Sequence, residues 1–431
     1  MNETIKILVT YVIAMSIVNL IRMTLYLIGS DVYAIKRLKA EKTYRRKYYR
    51  PTVSLVVPAH NEASIIEKTL EYLSRLDYPK SKLQIIIAND GSTDGTSKIV
   101  QKFIKARKNE INMTLFGQKN GGKANVLNNA IRRKATGTLV MCLDADSLIA
   151  PDAIKKAVEY FRDKRIVGIA SNVNILDNGT ILGLAQRFEY LISYHMKKAQ
   201  TVYNIEYIIG GIGSMFRRKM LEKVEYYDTN TMTEDIDLTM KIIAQGNKQH
   251  RIAYASDCIT YTEAVPSLKS LIAQRFRWKY GRMQTFYKNY KLFFARDSVY
   301  SKGLTWLMLP YSLLLEVLFI IEPLIVTLII FTSIYYHSPT TILVALTVIS
   351  TYILINVWSS AHLSIKDKLR LSFFAPSMYI VMYLMSLVEY VALVQAIVKL
   401  PNLANSISGK RTTWTSPERS GAANNLAMQK G

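Results

Sequence analysis

The chain has 431 residues, of which 50% are hydrophobic and 20% are charged, and Lys and Arg exceed Asp and Glu by 24. This much charge excludes a chain embedded uniformly in a membrane, and only two cysteines, each inside an apolar stretch, argue against a disulfide framework. The basic excess fits nucleic acid or an anionic membrane face, and the crowding of basic residues beside apolar runs favours the membrane.

The N-terminal segment 1–30 is predicted to be a transmembrane helix. Residues 5 to 29 are almost wholly apolar, and about 20 apolar residues suffice to cross a bilayer. A cleaved signal peptide is the alternative, but the run is too long for one and leads into a basic juxtamembrane segment, 31–50. Positive charge after the span places the following domain in the reducing cytoplasm.

Residues 51–265 are predicted to form an α/β domain. Short β-rich runs alternate here with longer helical stretches, a pattern typical of a mostly parallel, Rossmann-like sheet wound in βαβ units. Such sheets bind ligands at the carboxyl ends of their strands. The polar residues at those ends are Asn61, Glu62, Asp90, Asp144 and Asp146.

Asp90 ends the second hydrophobic run of this domain. Its carboxylate could accept a hydrogen bond from the imide nitrogen of uracil, and the alternative is an ordinary strand-to-helix turn capped by Ser92 or Asp94. Further along, Gly121-Gly122-Lys123 precedes a predicted helix. Backbone N–H groups and one ammonium are therefore available there to a diphosphate.

Asp144 and Asp146 directly follow the hydrophobic run 139–143. On an extended segment the side chains of residues i and i+2 point the same way, so the two carboxylates could share one hard cation. The alternative is a pair of loop or helix-capping aspartates, which are common for this motif.

Thr233-Glu234-Asp235 is the next acidic motif. An attacking hydroxyl needs a nearby carboxylate to take its proton, and this motif supplies one. The alternative is the acidic first turn of a helix, and the two interpretations are compatible because a helix start can also present a base.

Residues 266–303 are predicted to form amphipathic interfacial helices. Helical spacing places Gln274, Arg277 and Trp278 on one face, away from Phe276. Arg277 can hold a leaving diphosphate, and Trp278 offers a flat face to a sugar. The alternative is a helix that anchors Arg and Trp at the level of lipid headgroups.

Residues 304–398 are predicted to be C-terminal transmembrane helices, formed by the apolar tracts 304–335, 341–361 and 373–398. The first tract is too long for one upright helix, so we expect an interfacial helix running into a span, or a broken pair near Pro323. Glu316 and Glu322 could line a polar path or pair with a basic residue of a neighbouring helix or an accessory subunit. A polar, basic tail, 399–431, follows.

Taken together, these motifs resemble the processive family-2 glycosyltransferases, which include cellulose, hyaluronan and poly-N-acetylglucosamine synthases. The resemblance covers residues 51 to 282, with apolar tracts on both sides. It implies an α/β fold of the glycosyltransferase-A type with flanking transmembrane helices. It also implies a UDP-sugar donor and a Mg²⁺ or Mn²⁺ ion.

The resemblance assigns roles to particular residues. The residues implied to bind the donor nucleotide and its diphosphate are Glu62, Asp90, Lys123, Asp144, Gln274 and Arg277. The metal would lie at Asp146 with Asp144, and Asp235 would be the general base with Glu234 beside it. The acceptor sugar would lie beside Gly211, Ser214 and Trp278.

Within this family the chain is most similar to the poly-β-1,6-N-acetylglucosamine synthases of bacteria, through residues 122–125, 140–146 and 413–419. This subgroup implies inverting, processive transfer of N-acetylglucosamine to a growing β-linked polysaccharide, coupled to export. It also implies a multi-pass plasma-membrane protein with a cytoplasmic domain, lipid contacts and a small accessory subunit, and it implies no nucleic-acid partner. In the tail, Trp414 and Thr415 resemble a gating motif that closes over the nucleotide. The chain departs from the subgroup in its more basic segment 279–282 and its short C-terminal apolar part.

Three alternatives stay open at this point. The chain could add a single sugar to a lipid-linked acceptor, although single-addition relatives usually lack the motif at 274–278. It could be a hyaluronan- or cellulose-type synthase that uses a different sugar. A basic, membrane-anchored binding protein would explain the charge but leaves Asp90, Asp144, Asp146, Glu234 and Asp235 without a role.

The predicted spans contain one conflict. Three full crossings after the α/β domain would place Trp414 on the face of the membrane opposite Asp90 and Asp144, out of reach of the nucleotide. An even number of crossings is therefore expected, and the long tract 304–335 is the place where the discrepancy would arise.

Overall fold

The computed structural model describes residues 3–44, 48–108, 110–335, 337, 340–360 and 363–408. An eight-stranded mixed sheet forms the centre of the α/β domain, with its strands in the spatial order β3-β2-β1-β4-β7-β6-β8-β5. The strands are β1 (Val53–Ala59), β2 (Leu83–Asp90), β3 (Met113–Gln118), β4 (Leu139–Cys142), β5 (Leu148–Ile149), β6 (Ile166–Ile175), β7 (Ser214–Arg217) and β8 (Arg251–Thr262).

Helices cover both faces of this sheet. They are α2 (Ile66–Ser74), α3 (Thr96–Ala106), α4 (Lys123–Lys134), α5 (Ala153–Tyr160), α6 (Ile181–Tyr203), α7 (Arg218–Lys223), α8 (Glu234–Ile243) and α9 (Leu268–Lys288). Successive residues of each strand enter opposite apolar cores, as Leu55 and Val56 do in β1. All seven residues of β1 are buried, as expected for a strand with helices on both sides.

The first half of the sheet agrees with the predicted βαβ winding. Strands β3, β2, β1 and β4 are mutually parallel, and β1 pairs with both β2 and β4 from Val53 onward. Their carboxyl ends therefore lie along one edge, where Asp90 ends β2 and Asp144 follows β4.

The second half of the sheet adds antiparallel pairs, so the sheet is mixed, although most of its pairings are parallel as we expected. Strand β7 runs antiparallel to both β4 and β6, and β5 runs antiparallel to β8. The pairing of Cys142 with Ser214 sets the register between β4 and β7. Because the two strands run in opposite directions, the loop before β7 lies beside the carboxyl end of β4.

The predicted N-terminal span and basic segment form one continuous helix, α1 (Glu3–Tyr44), of 42 residues. At 1.5 Å per residue this helix is about 63 Å long, twice the thickness of a bilayer core. Its second half packs on the α/β domain. Tyr33 donates a hydrogen bond of 2.7 Å to the carbonyl of Tyr254, and Arg37 pairs with Asp257 at 2.9 Å.

The C-terminal helices begin after a π-helical segment, Gly303–Met308. They are α10 (Leu309–Leu318), α11 (Glu322–Tyr335), α12 (Thr340–Ser359), α13 (Ile365–Phe374), α14 (Met378–Val398) and α15 (Leu403–Ser408). The long tract is thus a broken pair of helices, α10 and α11. Pro323 lies in the first turn of α11, where its missing N–H costs no helical hydrogen bond.

In the described part of the chain, one helix is long and apolar enough to cross a bilayer. It is the segment Ile380–Val398, with 19 residues and a mean hydropathy of 1.9. Gly303–Leu318 and Leu346–Ser359 are shorter apolar helices. Large apolar side chains on α1 are exposed, among them Leu20 and Ile21 at 59% and 55%.

The end of the described chain returns to the α/β domain. Ser406 Oγ in α15 accepts a hydrogen bond from Gln284 Nε2 at 2.9 Å, and Gln284 Oε1 accepts one from the backbone N–H of Met232 at 2.9 Å. Residue 408 therefore lies on the same side of the molecule as Thr233-Glu234-Asp235. The number of membrane crossings stays a prediction. Trp414 and Thr415 themselves lie outside the described residues.

Candidate active site

Five of the predicted site residues meet at the carboxyl edge of β4. Lys123 Nζ lies 2.6 Å from Asp144 Oδ1 and 3.6 Å from Glu234 Oε1. A Cβ atom on Gly211 would lie 3.4 Å from Lys123 Nζ and 3.7 Å from Asp235 Oδ2. The start of α4, the end of β4, the loop before β7 and the start of α8 thus converge on one charged cluster.

Asp90 shapes the loop that presents Lys123. Its Oδ1 accepts a hydrogen bond from the N–H of Gly121 at 3.0 Å, and its Oδ2 accepts one from the N–H of Gly122 at 2.9 Å. Gly122 has φ of +91°, a conformation that a side chain would disfavour, and α4 begins at the next residue. The structure buries Asp90 completely beneath this loop, so a contact with uracil stays a prediction.

Lys123 is a stable cation in this cluster. Burial alone would lower the pKa of its ammonium, but the carboxylates of Asp144, Glu234 and Asp235 outweigh burial and hold that pKa above its ordinary value. A fixed positive charge at the start of a helix is suited to the phosphates of a donor.

The pKa of Asp235 is also raised, which for a carboxyl group favours the neutral form. Burial, followed by the neighbouring charges of Glu234 and Asp144, raises the pKa of Asp235 to about 7, although Lys123 acts in the other direction. Asp235 lies in the first turn of α8, as the helix-start interpretation expected. A carboxylate with a pKa near neutrality is suited to accept a proton from a hydroxyl group.

Asp144 and Asp146 lie on a turn, not on the extended segment that we expected. The N–H of Ser147 donates to the carbonyl of Asp144 at 3.0 Å and closes the turn. Both carboxylates are half-buried. Two carboxylates completed by substrate phosphates form a donor set that Mg²⁺ accepts. Within the described ranges, no three or more His, Cys, Asp or Glu side chains could hold an ion by themselves.

Glu62 and Ser214 are buried at 2% and 1% exposure. The carbonyl of Glu62 accepts the N–H groups of Ile65 and Ile66 ahead of α2, and its own N–H donates to Thr96 Oγ1 at 2.9 Å. The hydroxyl of Ser214 lies 3.5 Å from the carbonyl of Gly211. Both residues support loops of the site in this structure, and their predicted ligand contacts stay predictions.

Helix α9 approaches the start of α8 closely. A Cβ on Gly281 would lie 2.6 Å from Thr233 Oγ1, so only glycine fits at this position without a shift. Gln274, Trp278 and Gly281 follow the i, i+4, i+7 spacing of one helix face. Gln274 and Trp278 are half-buried on this face, and Arg277 is exposed beside it.

The sequence interpretation missed two supporting side chains. His60 donates from Nδ1 to the carbonyl of Asp90 at 2.8 Å, and its Nε2 accepts from Asn120 at 3.2 Å, which joins two loops of the site. Arg275, inside the predicted motif, is buried against carboxylates of other helices. Its spacing to Lys279 and Arg282 on one helix face was the available signal.

Glu316 occupies one of the two roles that we considered for it. It lies 2.8 Å from Lys279 and 2.6 Å from Arg282, so it pairs with basic residues of a neighbouring helix. These pairs also account for the basic character of segment 279–282. The side chain of Glu322 lies outside what the structure describes.

The chain is similar to known proteins over its α/β domain. The sequence model of the family described as "Glycosyltransferase like family 2" matches residues 51–281. The chain is 35% identical over 232 residues to the poly-β-1,6-N-acetyl-D-glucosamine synthase of Staphylococcus aureus, which is 53% of this chain and 54% of that protein. The corresponding synthase of Staphylococcus epidermidis is 32% identical over 231 residues, with the same coverage. The matched region thus spans about half the length of these relatives.

One solved structure resembles nearly the whole chain. It is a mannosyltransferase from Pyrobaculum calidifontis in complex with GDP-mannose and Mn²⁺, with a TM-score of 0.56 and 22% identity over 88% of this chain and 97% of that one. At this identity the likeness concerns the fold alone, and it agrees with the expected glycosyltransferase-A type.

Proposed function

The chain belongs to glycosyltransferase-like family 2, as its motifs predicted, and on this premise we propose that it transfers N-acetylglucosamine from UDP-N-acetylglucosamine to the growing end of a β-linked polysaccharide. The sugar is proposed because the two staphylococcal relatives are synthases of poly-β-1,6-N-acetyl-D-glucosamine. Since those relatives are matched over about half of their length, the activity of the whole chain is part of the proposal.

The observation that carries the proposal is the charged cluster around Lys123. The ammonium of Lys123 lies 2.6 Å from the Asp144 carboxylate, and the same cluster contains Asp235, whose pKa is raised to about 7. A glycosyl transfer needs a cation and a base together, because a diphosphate must leave with negative charge while a hydroxyl loses its proton.

In the proposed reaction, Asp235 accepts the proton of the acceptor hydroxyl. The hydroxyl oxygen forms a bond to C1 of the donor sugar, and the bond from C1 to the diphosphate oxygen breaks, so that UDP leaves with the electron pair. Attack from the face opposite the leaving group inverts C1 and converts an α-linked donor into a β-linked product. Lys123 holds a diphosphate oxygen, and the protonated Asp235 releases its proton to water after transfer.

Asp144 and Asp146 are proposed to hold Mg²⁺ or Mn²⁺ together with the donor's phosphates. The ion would neutralise charge that develops on the diphosphate as the sugar departs. The two carboxylates fit this role because both are half-buried and lie on the turn that follows β4.

We further propose that the chain lies in the plasma membrane with several spans, that it works processively and that it exports its product. The helix Ile380–Val398 and the exposed apolar side chains of α1 support membrane insertion. The basic excess supports contact with anionic lipids. Trp278, on the face of α9 that approaches α8, supports a lasting grip on a sugar chain. A small membrane accessory subunit belongs to the same proposal.

The test is to incubate membranes that contain the full chain with labelled UDP-sugars and to measure the size and identity of the product. We expect a long polymer with UDP-N-acetylglucosamine, and a yield lower by a factor of about 10² or more with membranes that carry Asp235→Asn. A long polymer from another UDP-sugar would move the proposal to a synthase with a different product. A lipid-linked monosaccharide at every donor concentration would replace polymerisation by single addition, and no incorporation from any donor would overturn the proposal.

A further inference from the structure

A row of alternating charges joins α9 to three other helices. Arg275, Lys279 and Arg282 follow the i, i+4, i+7 spacing on α9, and their partners Glu189, Glu316 and Glu389 come from α6, α10 and α14. The ion pairs are Arg275–Glu189 at 2.6 Å, Arg275–Glu389 at 3.0 Å, Lys279–Glu389 at 3.2 Å, Lys279–Glu316 at 2.8 Å and Arg282–Glu316 at 2.6 Å. This ion row holds α9 against the helices that surround it.

Arg275 also contacts the ring of Trp278, whereas the aromatic ring beside Lys279 in the ion row is that of Phe319. The guanidinium carbon of Arg275 lies 4.3 Å from the centroid of the Trp278 ring, within the distance of a cation–π contact. The side chain of Arg275 is 3% exposed. A planar guanidinium can stack on an indole and bind carboxylates through its edge at the same time, which an ammonium cannot do.

The orientation of Arg275 is set from two sides. Its Nη2 donates a hydrogen bond to Glu189 Oε2, and its Nε lies 3.0 Å from Glu389 Oε1 in an ion pair without hydrogen-bond geometry. Because the two carboxylates come from α6 and α14, the guanidinium plane cannot turn without breaking one of these contacts. The indole of Trp278, which the guanidinium covers, is therefore held in place as well.

Trp278 lies on the face of α9 that approaches the start of α8. It shares a helix face with Gly281, which touches Thr233 at the start of α8, one residue before Glu234 and two before Asp235. The side chain of Trp278 is half-buried, so part of the indole is not covered by Arg275 or by its other neighbours.

We propose that Arg275 is a positioning residue for the acceptor, which fixes the indole of Trp278 so that a pyranose ring can stack on it beside the base. This inference rests on the proposed function. Arg275 itself does not touch the substrate; Glu189 and Glu389 hold Arg275, and Arg275 holds Trp278. The ligand class is a saccharide chain end with an apolar ring face.

The first test measures both Michaelis constants of the full chain in membranes, with UDP-N-acetylglucosamine as donor and a β-1,6-linked N-acetylglucosamine oligosaccharide as acceptor. Arg275→Gln is expected to raise the acceptor KM about tenfold and the donor KM by less than about twofold. Arg275→Lys keeps the positive charge but lacks the planar guanidinium, so a smaller rise in acceptor KM than with Arg275→Gln is expected. The matched control Arg282→Gln breaks the ion row at its pair with Glu316 and leaves the contact between Arg275 and Trp278 in place, so both constants should stay within about twofold of wild type.

The second test uses the fluorescence of Trp278 in a full chain whose other tryptophans, Trp306, Trp358 and Trp414, are replaced by Phe. The same oligosaccharide should change the emission, and Arg275→Gln should shift the midpoint of that change about tenfold to higher concentration. An equal effect of Arg275→Gln and Arg282→Gln on both constants would reduce Arg275 to a structural role and overturn the inference. If the chain that keeps Trp278 as its single tryptophan is active and its emission ignores the oligosaccharide, the inference is also overturned, while the proposed function stands. A wild-type chain that uses no UDP-sugar at all would instead remove the proposed function.

Discussion

The ammonium of Lys123 lies 2.6 Å from the carboxylate of Asp144. The residue predicted to hold the donor's phosphates is therefore paired with a residue predicted to help hold the metal. The same ammonium lies 3.6 Å from Glu234, whose neighbour Asp235 carries a pKa of about 7. Changes on the donor side of the site should consequently alter the protonation of the proposed base.

The first prediction concerns pH. Asp235 must be deprotonated to act, so the rate of transfer should rise as the pH increases through about 7. Lys123 lowers the pKa of Asp235, and Lys123→Met should therefore raise that pKa further and move the acid limb of the profile to higher pH. The measurement is kcat/KM against pH for both chains, and an unmoved acid limb would contradict the coupling. Lys119→Met, a change at a lysine of the same segment outside the cluster, serves as the control.

The second prediction tests whether Asp235 acts as the general base or binds the donor. Asp235→Asn keeps the shape of the side chain and removes its basicity, so transfer should fall by a factor of about 10² or more while UDP binding persists. The measurements are turnover and calorimetric affinity for UDP. A loss of UDP affinity in parallel with the rate would make Asp235 a donor ligand instead.

The third prediction concerns the metal. Asp144 and Asp146 cannot hold the donor's phosphates without a cation between the negative groups, so EDTA should abolish transfer and added Mg²⁺ or Mn²⁺ should restore it. Asp146→Asn should raise the Mg²⁺ concentration needed for half-maximal rate. Full turnover in chelator would contradict the assignment of this pair.

The fourth prediction concerns the grip on the polymer. Trp278→Ala removes the flat face beside the start of α8, so long product should disappear while short product, or hydrolysis of the donor, remains. The measurement is the product length distribution by gel filtration. Trp306→Phe, at a tryptophan whose ring packs against Phe294 outside the site, should leave the distribution unchanged. Long product from the Trp278→Ala chain would assign processivity to another feature.

The fifth prediction concerns stability. Glu316 has a side chain that is 11% exposed and pairs with both Lys279 and Arg282. Glu316→Gln removes the negative charge that pairs with these two cations, so the free energy of unfolding should fall by about 3 kcal/mol. Glu222→Gln breaks the exposed pair with Arg218 and should cost less than about 1 kcal/mol. Thermal unfolding of the purified chains in detergent compares the two, and equal midpoints would show that the ion row adds nothing to stability.

Much of the fold follows from local sequence patterns. Short β-rich runs were predicted to alternate with helices in the α/β domain, and strands begin there at Val53, Leu83 and Leu139. They could be predicted because a strand buried on both faces has to be continuously apolar, and that pattern is visible without any partner. The family could be predicted for a related reason, because its motifs follow one another in order within one stretch, residues 51–281.

The burial and partners of each carboxylate depended on the tertiary structure. Asp90, Asp144 and Asp235 look alike in the sequence, but their surroundings differ. The carboxylate of Asp90 accepts hydrogen bonds from the N–H groups of Gly121 and Gly122. Asp144 forms an ion pair with Lys123, and Asp235 is buried with a raised pKa. These differences arise from residues distant in the chain, because desolvation and charge act through space.

By itself, the sequence determined the family, the positions of the first strands and the residues at their ends. Only the tertiary structure decided that β7 runs antiparallel to β4, which brings Gly211 to Lys123 and Asp235. It also decided that Arg275 is held between Glu189 and Glu389 and that Ser406 returns to Gln284. The physical reason is that periodicity and propensity describe neighbours along the chain, whereas strand direction and ion pairs depend on which distant segments pack together.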